Sequence, residues 1–454
     1  MDLLLTGGLI LTQDDERSVR HADVAVVANR IAGVGERASL EARFGPPNRR
    51  IDVPGRTVIP GLVNAHTHLF QAGMRGLGDG LRLDAWHADV MVPAYEAMTA
   101  EDAYRFTLVA AVENVRSGVT AVANVQAFPN DFAACTLVAR AVGEVGLRAQ
   151  LGKSLYGLDA DGRLGFLDPA YLADTERVFA ELHGSWDGRV RFAATPPRAT
   201  RAPGEAITAV HRIAAEHGSG VHTHVAETDA DARAAQDELG MSEIAYFDSL
   251  GVVDERFQAA HCVAISEADA ALLAERGASA VHCPVSNMYL GSGVADLAQL
   301  DAAGVTVALG TDGPASNNGQ DMIATMKSAA LLQRVSRRDA RLVPPGAALD
   351  MATRNGARTL GLEAGSIAAG QLADLVVLDL GAVHHQPLHR PISSIVQAGH
   401  PDDVETVIVD GRVVLDQRRI VGIDEREAVT RAAEAAVALI ERAGLDAAGT
   451  WPWS

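Results

Sequence analysis

The chain has 454 residues and a formal net charge of −19 at pH 7. This charge argues against nucleic acid and anionic membrane surfaces as partners, because both attract basic protein surfaces. With 48% hydrophobic and 21% charged residues, the composition is typical of a globular protein that buries a large core.

The cysteines and the first residues point to one compartment. Cys135, Cys262 and Cys283 lie in apolar contexts and form no CxxC pair, so we expect buried free thiols in a reducing environment. The start of the chain has Asp2 before a short apolar run and no basic stretch, unlike a signal peptide. No apolar run approaches the ~18 residues of a membrane span. We therefore predict a cytoplasmic protein.

Short apolar runs separated by Gly, Asp and Asn fill both ends of the chain. This pattern indicates strands and hairpins over residues 1–57. It returns as DLVVLDL at 374–380 and TVIV at 406–409, where Asp410-Gly411 then predicts a hairpin turn. Neither end is large enough to bury a good core alone. We predict that 1–57 and 365–422 together form one small β-sandwich domain.

Between these ends, β-branched apolar runs alternate with Ala- and Glu-rich helical patterns. The predicted strands are 58–64, 119–125, 147–151, 190–194, 220–225, 258–261, 279–283 and 305–311. Helical patterns include 100–117, 203–217 and 267–276. The alternation predicts an α/β fold with a (β/α)8 TIM-like barrel over 58–364. A doubly wound sheet is the alternative, which we favour less because polar residues end so many of the strands.

The last part, 423–454, contains an Ala-rich amphipathic helix over 424–444. The tail 450–454 is either a loose end or a packing arm.

Histidines and carboxylates follow several predicted strands. The first strand ends in HTH, and residues i and i+2 of a strand share a face, so both imidazoles can reach one metal ion. The later strand ends add further imidazoles and acids, and the whole set is His66, His68, His222, His224, Glu227, His261, His282 and Asp312. The carboxyl ends of barrel strands converge at one mouth. Imidazoles and a carboxylate there match a catalytic site of zinc type rather than a structural site closed by cysteines. The alternative is that these residues follow the strands by chance and form no common site.

The same motifs carry a resemblance to a known family. HTH, HTHVAET, AHCV, VHCPVSNMYLGSG and GTDGPASNN resemble the amidohydrolase superfamily, and more narrowly its aminohydrolase branch. That branch includes methylthioadenosine/S-adenosylhomocysteine deaminases, guanine and 8-oxoguanine deaminases and triazine hydrolases. The resemblance extends to GSIAAGQLADLVVLDL and TVIVDGRVV in the small domain.

The resemblance implies a site with one divalent metal, zinc first and iron second. Its ligands would be His66, His68, His224 and Asp312. Asp312 would also touch the nucleophilic water, and Glu227 would carry a proton to the substrate ring. His261 would orient that water or polarise the oxyanion that follows. Homo-oligomers are common in the resembling family, so we expect one here.

Elementary chemistry supports these roles. A zinc-type metal lowers the pKa of bound water to about 7, which makes hydroxide available at neutral pH. Asp312 can accept the released proton, and Glu227 can protonate a ring nitrogen so that the aromatic C–N bond becomes breakable. Lys153 follows the third strand, but the one-metal pattern does not need it. We expect His222 to lie in the barrel interior and His282 to form structural hydrogen bonds.

The substrate side is less defined. Gln71 matches a position where related deaminases place a glutamine that contacts the ring, and Trp86 would stack on a flat substrate or pack in the core. Adenosine-type members usually carry a GPHAPYT-like segment after the fourth strand, whereas this chain reads AATPPRATRAP at 193–203. The missing histidine argues against an adenosine-like substrate and favours a purine base, a pterin or a triazine. Arg198 and Arg201 would meet an anionic group or stay solvated.

These observations predict a metal-dependent aminohydrolase that deaminates a small aminated N-heterocycle. One alternative is a hydrolase with the same site that expels chloride or an alkylamine from a triazine-like ring. Another is a non-catalytic binding protein that keeps the barrel and its metal.

Overall fold

The computed structural model describes residues 1–158, 164–166 and 170–447, without the side chains of 156–158, 164–166 and 170. The predicted tail 450–454 lies outside the described residues. The described strands are β1 (Leu3–Leu11), β2 (Val19–Val27), β3 (Arg30–Gly35), β4 (Arg49–Asp52), β5 (Thr57–Pro60), β6 (Leu62–Thr67), β7 (Val119–Gln126), β8 (Arg148–Ser154), β9 (Tyr156–Leu158), β10 (Leu164–Phe166), β11 (Val190–Thr195), β12 (His222–Val225), β13 (Gln258–His261), β14 (Ser279–His282), β15 (Thr306–Leu309), β16 (Leu375–Leu378), β17 (Val404–Val409), β18 (Arg412–Asp416) and β19 (Arg419–Ile420).

The described α-helices are α1 (Arg37–Phe44), α2 (Leu83–Trp86), α3 (Val92–Ala97), α4 (Ala100–Arg116), α5 (Phe132–Val145), α6 (Ala170–Leu182), α7 (Gly204–Glu216), α8 (Asp229–Leu239), α9 (Glu243–Ser249), α10 (Glu267–Arg276), α11 (Pro284–Tyr289), α12 (Leu297–Ala303), α13 (Pro314–Asn317), α14 (Met322–Arg337), α15 (Pro345–Ala352), α16 (Arg354–Thr359), α17 (Pro391–Ala398) and α18 (Glu425–Ala443). Short 3-10 turns lie at Leu69–Met74, Ala199–Arg201, Val383–His385 and Pro401–Asp403, and a π-helical turn lies at His87–Met91.

Strands from both chain ends form one small domain, as the sequence predicted, and they are hydrogen-bonded in one 9-stranded sheet. The hydrogen-bonded order is β19-β18-β17-β16-β5-β1-β2-β3, and β4 also pairs with β1. The strands are therefore joined in a single continuous sheet. A separate apolar core, which includes Leu5, Val24, Leu375 and Ile408, belongs to this domain. The predicted hairpin turn is also present, because Asp410 and Gly411 both have positive φ (54° and 73°), as a type I′ turn requires.

The central region contains the eight predicted barrel strands in two parallel sheets of four. The first has the order β11-β8-β7-β6 and the second β12-β13-β14-β15. The sheets meet at both edges. Ala194 of β11 forms a parallel bridge with Val221, and the amide of Asp312 donates to the carbonyl of His66 in β6 at 2.9 Å. Helices connect successive strands, which confirms the predicted TIM-like architecture.

The predicted first strand, 58–64, is wrong as a single element. Thr57–Pro60 (β5) pairs with β1 and β16 in the terminal sheet, whereas Leu62–Thr67 (β6) pairs with β7 in the barrel. Gly61 separates them, and a Cβ placed there would lie 2.0 Å from Oγ1 of Thr120. The chain thus passes from one domain to the other at a residue that must lack a side chain.

Gly61→Ala is expected to destabilise the fold by about 1–3 kcal/mol, the usual cost of forcing an extra carbon into a packed site. Urea unfolding of the two proteins measures the difference. Gly346→Ala is the matched control, because a Cβ at Gly346 meets nothing within 4 Å and alanine suits a helix better than glycine. Equal destabilisation by both changes would contradict the close approach at Gly61.

Buried charges attach the terminal sheet to the barrel at the start of β8. The guanidinium of Arg148 donates to Asp374 at 3.1 and 3.2 Å and to Asp410 at 2.9 Å. Asp374 precedes β16 and Asp410 lies in the β17–β18 turn. Because Arg148 begins its strand, this contact lies at the amino end of the barrel, where features serve stability. The carboxyl ends of the strands are opposite.

Two further expectations concern the chain as a whole. The three cysteines are buried free thiols, as predicted, and burial raises the pKa of Cys135 to about 12. None of the helices in the described ranges is both long enough and apolar enough to cross a bilayer.

Candidate active site

Four predicted ligands meet at the carboxyl ends of the barrel strands. His66 lies in β6 and His68 follows it, His224 lies in β12, and Asp312 follows β15. Their ligand atoms all lie within 4.8 Å of one another, and three of the four residues are buried. A bulge in the pairing of β6 with β7 falls between Asn64 and Thr67, and such a bulge redirects side chains near a strand end.

Hydrogen bonds orient the imidazoles so that their free nitrogens converge. Nδ1 of His68 lies 2.9 Å from the carbonyl of Val125 and donates to it. Nε2 of His68 is then an acceptor, 3.2 Å from Nε2 of His224 and 3.2 Å from Oδ1 of Asp312. Nδ1 of His66 contacts Nε2 of His222 at 2.8 Å. Nε2 of His66 lies 3.4 Å from Oδ1 of Asp312 and has no hydrogen-bond partner among the described residues.

The Asp312 carboxylate is held on its far side. Its Oδ2 accepts from the hydroxyls of Ser286 at 2.5 Å and Ser316 at 2.9 Å, and its Oδ1 accepts from the amide of Gly313 at 2.7 Å. Burial alone would raise the pKa of Asp312, but the imidazoles of His66 and His68 hold it well below its ordinary value. The carboxylate is therefore ionised and fixed in orientation.

Burial keeps the imidazoles of His66, His222 and His224 neutral. Burial lowers the pKa of His66 to about 4, and burial holds the pKa of His222 and of His224 well below 6.5. Neutral imidazole and ionised carboxylate are the forms that bind a metal ion. Together with the unpartnered, buried Nε2 of His66, this donor set fits a divalent metal of zinc type.

Glu227 and His261 lie beside the four ligands. Glu227 is 2% exposed, and its Oε2 is 3.9 Å from Nε2 of His261. Nδ1 of His261 lies 2.9 Å from Oδ1 of Asn287 and donates to it. Nε2 of His261 is thus an acceptor, and it has no partner within the described part of the chain.

Backbone strain accumulates at the same strand ends. Ala226, His261, Cys262 and Asp312 have φ values of 44°, 70°, 50° and 60°. Such conformations cost on the order of 1–3 kcal/mol each for residues with a side chain, and they concentrate at active sites.

The predicted substrate-side residues occupy different environments. Gln71 is 1% exposed, its amide nitrogen lies 3.3 Å from the hydroxyl of Tyr95, and its Oε1 has no partner among the described side chains. A Cβ at Gly313, next to Asp312, would lie 1.8 Å from that oxygen, so Gln71 borders the cluster. Trp86 is buried, donates to the carbonyl of Ala315 at 3.2 Å, and packs within the main core.

The side chain of His282 is buried. Neither of its ring nitrogens has a hydrogen bond within the described ranges, so the predicted structural hydrogen bonds are absent there. Burial lowers the pKa of His282 to about 3. His282 therefore stays unprotonated in the folded protein at a pH where the unfolded chain binds a proton, since an unfolded histidine titrates near pH 6.5.

This difference predicts acid sensitivity. The contribution of His282 to the free energy of unfolding is constant above pH 6.5. It falls by roughly 1.4 kcal/mol per pH unit as the pH drops from 6.5 towards 3. When the pH is lowered from 7 to 5, the free energy of unfolding of His282→Leu, measured with urea, should fall by ~2 kcal/mol less than that of the parent protein. His21→Leu, at an exposed histidine, is the control. Equal losses for His282→Leu and the parent would contradict the assignment.

A second group of histidines lies in the terminal domain. His384 and His385 both contact the carboxylate of Asp403 at 2.9 Å, and Nδ1 of His385 contacts the hydroxyl of Ser394 at 2.7 Å. The backbone amide of His400 donates to the same carboxylate at 2.7 Å. These groups satisfy one another, unlike the ligands of the barrel cluster.

Several residues of the site were not identified from the sequence. Ser286, Asn287 and Ser316 lie inside the motifs VHCPVSNMYLGSG and GTDGPASNN, so the motifs contained the signal. Two residues named from the sequence have partners that it did not predict. Arg198, in the altered segment after the fourth strand, contacts Glu227 at 2.6 Å, and Lys153 lies 2.8 Å from Asp174.

The site and the fold agree with a family comparison. The model of the Amidohydrolase family matches residues 57–414. The chain belongs to the amidohydrolase family.

Relatives of this amidohydrolase match it over nearly its full length. The 5-methylthioadenosine/S-adenosylhomocysteine deaminase of Pelotomaculum thermopropionicum is 35% identical over 97% of this chain and 99% of that protein. The 5'-deoxyadenosine deaminase of Methanothermobacter thermautotrophicus is 38% identical over 96% of this chain and 98% of that protein. The crystal structure of a zinc-bound adenosine deaminase from Xanthomonas campestris has a TM-score of 0.89 and 31% identity, covering 97% and 99% of the two chains.

These relatives confirm the predicted class. The protein is a hydrolase that acts on C–N bonds of cyclic amidines by metal-dependent deamination. The alternative of a non-catalytic binding protein finds no support. The zinc-bound relative supports a divalent metal.

Proposed function

We propose that this amidohydrolase hydrolyses the exocyclic amine of adenosine-like nucleosides, using a single zinc ion held by His66, His68, His224 and Asp312. The observation that carries the proposal is the convergence of four ligand atoms within 4.8 Å of one another. The carboxyl group of Glu227 and Nε2 of His261, which has no partner among the described residues, lie beside them at the carboxyl ends of the barrel strands. A structural metal needs neither Glu227 nor His261.

When bound, the metal would act as a Lewis acid and make water a nucleophile near neutral pH. Asp312 takes a proton from the attacking water through Oδ1, which faces the imidazoles of His66 and His68, whereas two hydroxyls bind its Oδ2. His261 presents Nε2 as the acceptor that orients this water, since Asn287 fixes the opposite nitrogen. Glu227 protonates the ring nitrogen, and water attack makes the ring carbon tetrahedral. Asp312 passes the proton that it took from the water to the amino group, which leaves as ammonia. Glu227 recovers a proton from the hydroxyl of the tetrahedral carbon as the carbonyl forms.

The names of the relatives and the free acceptor on Gln71 support the proposed substrate class. Two relatives that match along the whole chain are named as deaminases of adenosine-type compounds, and this outweighs the missing histidine at 193–203. The unpartnered Oε1 of Gln71 supplies an acceptor for a ring N–H or an amine. Trp86 packs in the main core and donates its indole N–H to the carbonyl of Ala315, so its stacking on the substrate stays a prediction.

A second candidate is an aminated purine base, pterin or triazine. The observation in its favour is the segment 193–203, where Arg198 occupies the position of the usual substrate-binding stretch. A hydrolase that expels chloride or an alkylamine from a triazine-like ring would use the same residues. It would depend less on Glu227 than a deaminase does, because a better leaving group needs less protonation of the ring.

The experiment is ammonia release by purified zinc-loaded protein from a panel of 6-aminopurine nucleosides, aminopurines, pterins and triazines, with iron-loaded protein in parallel. Turnover of a nucleoside at a rate well above that of the free bases is expected. Turnover of chlorotriazines with none of any ring amine would contradict the proposal. A cytoplasmic location, a homo-oligomeric state and the domain limits 1–57, 58–364, 365–422 and 423–454 stay predictions.

A further inference from the structure

The altered segment after β11 contributes one charged side chain to the site. Arg198 places Nη2 2.6 Å from Oε2 of Glu227 and Nη1 2.6 Å from Oδ1 of Asp231. Its side chain is 23% exposed, that of Glu227 3% and that of Asp231 15%. Charge-assisted bonds of this kind are about twice as strong as neutral ones and fix geometry.

The second partner of Arg198 is itself fixed by a helix start. Asp231 is the third residue of α8, and its Oδ2 accepts from the amide and the hydroxyl of Thr228 at 2.9 and 2.8 Å. Thr228 in turn accepts from the amide of Asp231, which completes a capping box. The carboxylate of Asp231 therefore caps the start of α8 with Oδ2 and binds the guanidinium of Arg198 with Oδ1.

A third carboxylate fastens the two loops that carry this pair. Glu243, 3% exposed, accepts from the amide of Ala199 at 3.0 Å and from the amide of Ala226 at 2.6 Å. Ala199 follows Arg198 and Ala226 precedes Glu227. The hydroxyl of Thr223 also donates to the carbonyl of Pro196 at 2.8 Å. The distance between the guanidinium of Arg198 and the carboxyl group of Glu227 is thus fixed, because Glu243 holds the backbone of both loops.

The geometry argues against a role for Arg198 in binding a substrate anion. Both arms of the guanidinium already contact carboxyl groups, one of Glu227 and one of Asp231. An anionic substrate group would have to displace one of them. The oxygen of Glu227 left for proton transfer is Oε1, whose contact with the hydroxyl of Ser292 is long, at 3.5 Å.

We infer that Arg198 is a positioning residue that locks Oε2 of Glu227 and thereby aims Oε1 at the ring nitrogen of a substrate with no negative charge near this wall. The inference rests on the proposed function, in which Glu227 carries the proton. It assigns a role in the reaction to a segment in which the histidine usual for adenosine-type members is missing.

The test is a kinetic double-mutant cycle on zinc-loaded protein with Arg198→Met, Glu227→Gln and the double variant. Arg198→Met is expected to lower kcat about 10–100-fold with KM changed less than about threefold, because a displacement of ~1 Å at a reacting group costs up to 10²-fold. In the Glu227→Gln background the same change should cost less than about threefold, since residues that act as a unit are not additive. Arg198→Lys, which keeps the charge and can hold one partner, should recover part of kcat.

The control is Arg201→Met, at an exposed arginine three residues further on, which should leave both constants unchanged. Zinc content and circular dichroism of each variant report whether the fold and the metal are intact. An equal loss of kcat with and without Glu227 would overturn the inference, and so would a rise in KM alone, which would make Arg198 a substrate-binding residue. Absence of turnover by the parent protein on every ring amine would instead refute the proposed function itself.

Discussion

Glu227→Gln is expected to lower kcat for deamination about 10²–10⁴-fold, the usual contribution of a general acid–base. The amide has nearly the shape of the carboxylate but cannot deliver a proton to the ring nitrogen. Because Glu227 is not among the four clustered ligand atoms, zinc content should stay at the level of the parent protein. Steady-state ammonia release and metal analysis on the same preparation measure both quantities.

The leaving group provides the control for this variant. A substrate that already carries a good leaving group needs less proton assistance, so its turnover should fall far less in Glu227→Gln than that of the amine. A loss below about tenfold on the amine would contradict the role of Glu227 as proton carrier. It would favour the hydrolase that expels chloride or an alkylamine.

Removal of one imidazole from the barrel cluster is the second large effect. His224→Ala takes away one of four convergent donors, and the loss should exceed the ~10–100-fold in metal affinity that removal of an outer partner costs. We expect zinc content to fall from about one ion per chain to well below a tenth after dialysis, and activity to fall in proportion. Inductively coupled plasma mass spectrometry and ammonia release measure the two.

His384→Ala is the matched control, because His384 belongs to the other histidine and aspartate group of the described chain. That group is satisfied by its own hydrogen bonds, so its loss should leave zinc content and activity unchanged. A fall in zinc content with His384→Ala and none with His224→Ala would move the metal to the terminal domain. The proposed mechanism would then fail.

The sequence predicted the architecture because its signals are local. Alternation of β-branched runs with Ala-rich helices set the barrel, and the strand at 258–261 and the helix at 267–276 have the predicted limits. The division of 58–64 was missed for a physical reason. An unbroken apolar run leads through Gly61, and nothing local shows that Pro60 pairs with Leu375 across the molecule.

The same distinction separates the parts of the site. His66, His68, His224 and Asp312 were predicted to meet, because each directly follows or ends an apolar strand and such ends converge. The engagement of Arg198 was not predicted, since its partners Glu227 and Asp231 lie about thirty residues further on and their approach depends on loop geometry. The two ring nitrogens of His282, which lack a partner among the described residues, were likewise not predicted, because local patterns do not reveal which buried groups are left unpaired.

Insertion of β5 between β1 and β16 has a consequence for biosynthesis. Thr57–Pro60 must wait for Leu375–Leu378 to be translated before its second edge is covered. At about 5–20 residues per second this delay is on the order of 15–60 s. During that time a short apolar edge stays open to pairing with other chains. We expect the nascent polypeptide to depend on a chaperone over this interval, and slower translation of its second half to lower the yield of active enzyme.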